Sequence, residues 1–314
     1  MPESDLASLI DRRNIPAYVI LIVATIGVAA GFAYTGFALT TVEPLKLAGM
    51  ALVMIFSGML ARRYQVGPIA PILESFGFLL LSSVLALLAT ILLCVTNLPL
   101  TDRMLADADR MLRFDIHMQL AFLKAHPRIV SAAHYVYHSL IWEPAVAILI
   151  LSLTRQGDRR RIFVTAWLVA VAISVLLWPL FPAVGTFPYF GLHAGQVPHL
   201  EGVTPWQVAD TVTGIRNGSI RTVDDSIAFL GLITFPSFHA AGAALVAWAF
   251  WRTPWLWPLF AVLNLAVAIT AITIGAHYLV DILAGFGVAA LAIGIAKNLT
   301  APAPAKPISR PART

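Results

Sequence analysis

Two short segments hold the residue types that handle phosphate chemistry. The first is Phe235-Pro236-Ser237-Phe238-His239, followed by an apolar run from Ala240. A serine ahead of such a run predicts a helix N-cap, and the free main-chain N–H groups of a first helical turn attract anions. A phosphate placed there would meet the Ser237 hydroxyl, main-chain donors and the His239 imidazole together. The second segment is Gly275-Ala276-His277-Tyr278-Leu279-Val280-Asp281. In a local helix, the four-residue spacing sets His277 and Asp281 on one face, where the carboxylate holds one ring nitrogen and leaves the other free. An imidazole oriented in this way is a nucleophile or a general base. Taken singly, Asp281 also reads as a helix-start acid favoured by the macrodipole, and His239 as a histidine that caps a helix or touches headgroups.

The elements that must position these residues are membrane helices. Of 314 residues, 59% are hydrophobic and 12% charged, and the mean hydropathy is +0.82. An ordinary soluble domain is about half apolar and roughly a quarter charged, so the surplus faces lipid. Apolar segments near 17–39, 44–60, 76–97, 130–153, 163–183, 233–251, 255–276 and 278–296 supply, or approach, the about 20 residues a span needs. They predict an all-α, polytopic transmembrane bundle of about eight spans. The apolar run after the polar stretch Met1–Asn14 has no obvious small-residue cleavage site and reads as a first span rather than a signal peptide.

Charge sets the orientation. With the N-terminus inside, thirteen of the twenty-one Lys and Arg residues fall on the inside, among them Arg62, Arg63, Arg155, Arg159, Arg252 and Lys297. The other eight are spread mainly over the long loops 98–129 and 184–232. Lys and Arg accumulate on the cytoplasmic side, so both termini are expected in the cytoplasm of a bacterial inner-membrane protein. His239 and His277 then lie at the outer face. The net charge of +5 sits in short clusters between apolar runs, the pattern of topology signals rather than of a nucleic-acid surface. The single cysteine, Cys94, lies in an apolar run and excludes a disulfide or cysteine metal cluster within one chain.

The loop 98–129 mixes Met104, Leu105, Met111, Leu112, Leu120 and Leu123 with charges, which predicts amphipathic helix at the membrane face. The Gly- and Pro-rich loop 184–232 predicts an irregular cap. Residues 1–97 read as N-terminal transmembrane helices, 98–300 as the catalytic membrane domain, and the Pro-, Ala- and Arg-containing tail 301–314 as a disordered cytoplasmic segment.

Other polar residues have plainer readings beside functional ones. Arg216 and Arg221 could supply charge to a phosphate or anchor anionic headgroups. Glu143, with His134 and His138 on related helical faces, forms a polar seam at the site or an internal packing pair. Asp224 and Asp225 read as solvated loop charges, and His117, His126, His193 and His199 as surface. Trp178, Trp206, Trp251, Trp255 and Trp257 read as an interfacial belt.

The segments FPSFHAAGAALVAW and TAITIGAHYLVDILAG resemble the second and third signature motifs of the type 2 phosphatidic acid phosphatase superfamily, which includes inositol phosphorylceramide synthases and vanadium haloperoxidases. The resemblance implies that His277 attacks phosphorus to form a phosphohistidine, that Asp281 orients it and that His239 protonates the leaving group. It further implies that Ser237 cradles phosphate and that no cofactor and no metal is needed. Two departures stand out. Thr270 and Ala271 occupy the positions where the family's third motif has Ser-Arg, and the first motif, a lysine followed by Arg-Pro, is absent. Arg216, in Gly214-Ile215-Arg216-Asn217-Gly218, with Arg221 behind it, is the substitute source of phosphate-binding charge. Together with ADADRMLRFD and GTFPYFG, this arrangement resembles the inositol phosphorylceramide synthase-like branch. The resemblance covers roughly residues 100–296.

The expected function is therefore a membrane-embedded lipid phosphatase or phosphotransferase of lipid metabolism, with a phosphate-bearing lipid as partner and no nucleic acid. The competing expectation is an anionic-lipid transporter or flippase that binds phosphate without chemistry. Its marks would be inverted repeats or paired broken helices, and the sequence has no fixed-period repeat.

Overall fold

The computed structural model of the chain describes residues 9–193 and 205–302. The expected disordered tail falls almost wholly outside these residues, as do Gly195, Pro198, His199 and Gly202 of the second long loop.

Three helices open the chain: α1 (Ile15–Thr35), α2 (Glu43–Arg63) and α3 (Ile69–Leu93). Pro16 and Pro44 stand in the first turns of α1 and α2, where a missing N–H costs nothing. Two short helices follow, the amphipathic α4 (Asp102–Met111) and α5 (Ile116–Ala125), which exposes Met118 and Phe122 as well as burying Ile116 and Leu120. Then come α6 (Pro127–His138), α7 (Glu143–Leu153) and α8 (Gly157–Leu177). A single turn, α9 (Thr186–Tyr189), and α10 (Pro205–Asn217) lead to α11 (Phe238–Phe250), α12 (Trp257–Thr273) and α13 (Leu279–Leu299). The strands β1 (Ala38–Leu39) and β2 (Thr222–Val223) form one two-residue parallel pair, Ala38 against Thr222 and Leu39 against Val223.

The protein is an all-α integral membrane protein. Helices α1, α2, α3, α8 and α13 are long and apolar enough to cross a bilayer, and α6 with α7 makes a sixth candidate if the pair is one broken span. Helices α11 and α12 are apolar but shorter, 13 and 17 residues, or about 20 and 26 Å at ~1.5 Å per residue. The apolar run 130–153, read in the sequence as one span, is bent by 49° between α6 and α7. Pro144 stands in the first turn of α7, and a proline has no N–H with which to continue the preceding helix.

The core forms where α8 packs against α3, α11 and α13. Phe163, Leu168, Leu245, Phe250 and Ala292 are buried there, while Ile22, Val23, Val262, Leu265 and Leu291 point outward. An apolar outer surface is what a lipid solvent permits. At one end of the bundle α5, α6 and α9 share a second cluster with the chain between α12 and α13, through Ile116, Leu120, Val130, Phe187, Ile274 and Ala276. The 98–129 loop of the sequence is thus two helices that cap one end of the bundle.

Candidate active site

His277 sits in the turn between α12 and α13, one residue ahead of the α13 N-cap Tyr278. Its Nδ1 lies 3.3 Å from Oδ2 of Asp281. The same carboxylate oxygen accepts the Tyr278 main-chain N–H at 2.9 Å. Tyr278 has an extended ψ of 153°, so the pair meets across a helix start rather than along one helical face. Asp281 is fully buried and His277 nearly so. The pairing occupies Nδ1 and leaves Nε2 for other partners.

The turn is held from three directions. The Ala276 carbonyl accepts both the Thr186 N–H at 2.8 Å and the Thr186 hydroxyl at 3.1 Å. Gly185 makes this possible: its φ of +90° suits glycine, and a Cβ there would stand 3.0 Å from the Ala276 oxygen. Asp109, on α4, accepts the N–H groups of Leu279 at 2.8 Å and Val280 at 2.9 Å. These are orphan donors of the α13 N-terminus, satisfied here by a carboxylate from far along the chain. Burial pushes the Asp109 carboxyl above its ordinary value, and the Val280 and Leu279 N–H groups pull it back. Asp102 accepts the Tyr278 hydroxyl at 2.9 Å and the N–H groups of Val184 and Gly185 at 3.1 Å. Here too burial raises the carboxyl against those donors.

Ser237 is the N-cap of α11, with its hydroxyl accepting from the Ala240 N–H at 3.4 Å. It is fully buried, and its own N–H donates to the Asp281 carbonyl at 3.0 Å. Gly285 allows the two helices to cross this closely, since a Cβ there would collide with the Ser237 carbonyl oxygen and stand 2.9 Å from the Ala240 Cβ. His239 follows in the first turn of α11. Its ring stacks on Tyr137 of α6 at 4.1 Å with 17° between planes, and Nδ1 lies 3.3 Å from the Tyr137 hydroxyl.

The two imidazoles face one another with ring centroids 6.3 Å apart. Both line a cavity of about 450 Å³, together with Tyr137 and His138. Most of the remaining wall is apolar, including Leu87, Val171, Val208 and the 229–233 strand of loop. The structure thus brings His239, His277, Asp281 and Ser237 together, with Ser237 beneath the site rather than on the cavity wall.

Arg216 and Arg221 lie elsewhere. Arg216 donates to the Leu98 carbonyl at 2.6 Å, and the Arg221 guanidinium lies over the Phe37 ring at 5.7 Å. No arginine or lysine lines the cavity among the described residues. Ala271, at the position of the motif arginine, is fully buried in a cluster with Ala240 and Ile282, so the site has no room for a long side chain there. Glu143 is internal: it accepts from the Ser139 hydroxyl at 2.5 Å and from the Asn264 amide at 2.7 Å. His138, which bonds the His134 carbonyl at 2.8 Å, is the member of that group on the cavity wall. Among the described residues no three His, Cys, Asp or Glu side chains converge as a metal-binding group.

Nothing local in the sequence singles out Tyr137, Asp102, Asp109 or Thr186. The segments ADADRMLRFD and GTFPYFG contain Asp109 and Thr186, and the structure shows what they do: both hold the His277 turn.

A lipid-facing helical bundle that sets two imidazoles across one cavity, one backed by a buried carboxylate, defines an integral membrane protein equipped for proton transfer or nucleophilic attack. Its lineage is specific: residues 103–295 match the PAP2 superfamily, and the chain belongs to it. The match runs from α4 to α13. Membership makes the protein a phosphatase-type enzyme, acting on a phosphate-containing lipid or similar substrate. No curated protein and no solved structure matches the chain.

Proposed function

We propose that the protein acts on a lipid phosphate or phosphodiester, hydrolysing it or transferring its phosphoryl group, through a phosphohistidine at His277. The observation that carries this reading is the opposition of His277 and His239 across the cavity, ring centroids 6.3 Å apart, with Asp281 on Nδ1 of the first. Nε2 of His277 attacks phosphorus, forming a P–N bond as the bond to the leaving oxygen breaks. Protonated His239 gives its proton to that oxygen. A hydroxyl then attacks the phosphohistidine and passes its proton to His239, restoring both imidazoles. Water as acceptor gives hydrolysis; an alcohol gives transfer.

Asp281 favours the imidazolium-like charge that develops on His277 and fixes the ring. The largely apolar wall suits the hydrocarbon of a lipid and excludes bulk water, which strengthens the electrostatic interactions inside. Arg216 and Arg221, as placed, stand outside this arrangement. The changes at Thr270 and Ala271 favour the inositol phosphorylceramide synthase-like branch, and with it transfer to an alcohol. The distribution of Lys and Arg favours an inner-membrane protein with cytoplasmic termini and an outward-facing site.

Purified protein incubated with labelled phosphatidate, isoprenyl diphosphate or phosphatidylinositol, with and without hydroxyl acceptors, tests the reading. Wild type should release or transfer label from at least one substrate, and His277→Ala should lower the rate by about 10⁴-fold or more. Acid-labile, base-stable label on the wild-type chain is expected during turnover. Equal rates for wild type and His277→Ala on every substrate would sink the proposal.

A further inference from the structure

A second cavity, of about 810 Å³, opens at the other end of α8, α11 and α13 from the histidine pair. Arg155 reaches it from the turn between α7 and α8, Arg159 from the first turns of α8, Arg252 from the chain after α11 and Lys297 from the last turn of α13. Four cations from four segments therefore converge on one concavity. Its acid, Asp158, is already held by Arg13 at 2.6 Å and Arg161 at 3.1 Å, so it does not neutralise them. Arg155, Arg252 and Lys297 make no ion pair among the described residues.

The cavity is built rather than incidental. The Arg159 guanidinium lies 4.3 Å above the Trp248 ring and donates to the carbonyls of Ala249, at 2.6 Å, and Trp248. The Gln156 amide bridges the hydroxyls of Thr154 at 3.1 Å and Thr253 at 3.4 Å, tying the two turns that form the rim. Helix α8 starts beside this rim, 21 residues long, with no side chain capping its first N–H groups. A long helix offers partial positive charge and free donors at such an end. Trp248 and Trp251 add apolar wall.

Side chains at a membrane surface can disperse to reach water by extending. Here one cation is fixed in place, three others meet it, and a helix N-terminus opens toward the same space. That combination fits an anion with several acceptor oxygens and one apolar flank.

We propose that this cavity is a second phosphate-binding site, separate from the histidine pair, for a phosphate-bearing anion at the opposite end of the bundle. The anion is either the headgroup of an anionic phospholipid in the leaflet at that end or free phosphate.

The test uses the full-length protein, delipidated and placed in phosphatidylcholine nanodiscs, with phosphatidylglycerol or inorganic phosphate as the added probe. Bound lipid is counted by native mass spectrometry, and affinity is read from the saturable rise in melting temperature. Wild type is compared with the triple variant Arg155→Gln, Arg252→Gln, Lys297→Gln and with Lys297→Gln alone, which guards against misfolding of the triple variant. The histidine cavity is intact in all three, so anything bound there is common to them. Wild type should bind at least one probe, and affinity should fall about fivefold in the single variant and about a hundredfold in the triple. Saturation by phosphatidylglycerol alone identifies a lipid, and saturation by inorganic phosphate identifies the free ion. The same affinity for both probes in wild type and in both variants overturns the proposal, as does the absence of a saturable shift in wild type.

Discussion

The main-chain N–H of Ser237 donates to the carbonyl oxygen of Asp281 at 3.0 Å. This bond joins the starts of α11 and α13, so the residue before His239 by two and the partner of His277 form one rigid corner. Displacement of either helix start therefore changes the distance between the imidazoles.

Asp281→Asn keeps the size of the side chain and removes its charge. The amide oxygen can take the place of Oδ2, which meets both the Tyr278 N–H and Nδ1 of His277, so the ring stays placed while the negative charge that stabilises the developing imidazolium is lost. Turnover should fall by about 10²–10⁴-fold with a smaller change in KM. Steady-state kinetics on the best substrate check this, and an unchanged kcat contradicts the assigned role.

Tyr137 supports His239 in two ways, by stacking and through its hydroxyl. Tyr137→Phe keeps the ring and should cost about tenfold or less in kcat, the effect of one neutral hydrogen bond. Tyr137→Ala also removes a stacked pair worth about 0.5–1.5 kcal/mol and should cost more. The pH–rate profile should shift in both. Equal effects would mean that the ring contributes nothing beyond the hydroxyl.

Asp109→Ala removes two charge-assisted acceptors from the α13 start and should destabilise the protein by about 1.5–3 kcal/mol. Asp107→Ala is the control. Its carboxylate pairs with Arg110 at the surface, and such pairs contribute about 0–1 kcal/mol. Thermal unfolding of the two variants in one detergent should separate them clearly, with phosphoryl transfer lost only in the first.

Arg216→Gln tests the first of the two arginines, Arg216 and Arg221, that the sequence offers as phosphate-binding charge. With its guanidinium on the Leu98 carbonyl, kcat/KM should change by less than about tenfold, within the range of a substitution away from the reacting atoms. A loss of about 10²–10³-fold, the effect of removing a transition-state donor, would mean that the 216–221 segment moves onto the substrate.

Gly285→Ala should lower stability by about 1–3 kcal/mol through overpacking, because its new methyl group meets the Ser237 carbonyl and Ala240. Activity should fall with it, since the collision lies at the corner shared by both motifs. A variant of wild-type stability would show that the α11–α13 crossing has slack.

The parts of this molecule that were legible in the sequence are those whose partners are near in the chain or whose physics is compositional. Apolar runs marked each of the long helices, Ser237 marked the start of α11, and the four-residue step from His277 to Asp281 marked a pair. The step was legible although its geometry differs, because the carboxylate reaches back across a helix start. The supports were not legible: Tyr137 lies 102 residues from His239, Asp109 170 from Leu279 and Asp102 176 from Tyr278. No local periodicity encodes such pairings. The break at 139–142 was also hidden, because the hydropathy of 130–153 continues through it while Pro144 stops the hydrogen-bond ladder.

The carboxylates that hold the His277 turn have a consequence for biosynthesis. Asp102 and Asp109 leave the ribosome about 170 residues ahead of their partners, a delay of roughly ten to thirty seconds at ordinary elongation rates. Through that interval Asp109 waits for both of its donors and Asp102 can gain only the Val184 and Gly185 N–H groups, and the helices inserted meanwhile cannot complete the enzyme. Activity is thus a late event that depends on insertion of the last helix, and a chain cut short before α13 ends as an inert bundle rather than an uncontrolled catalyst in the membrane.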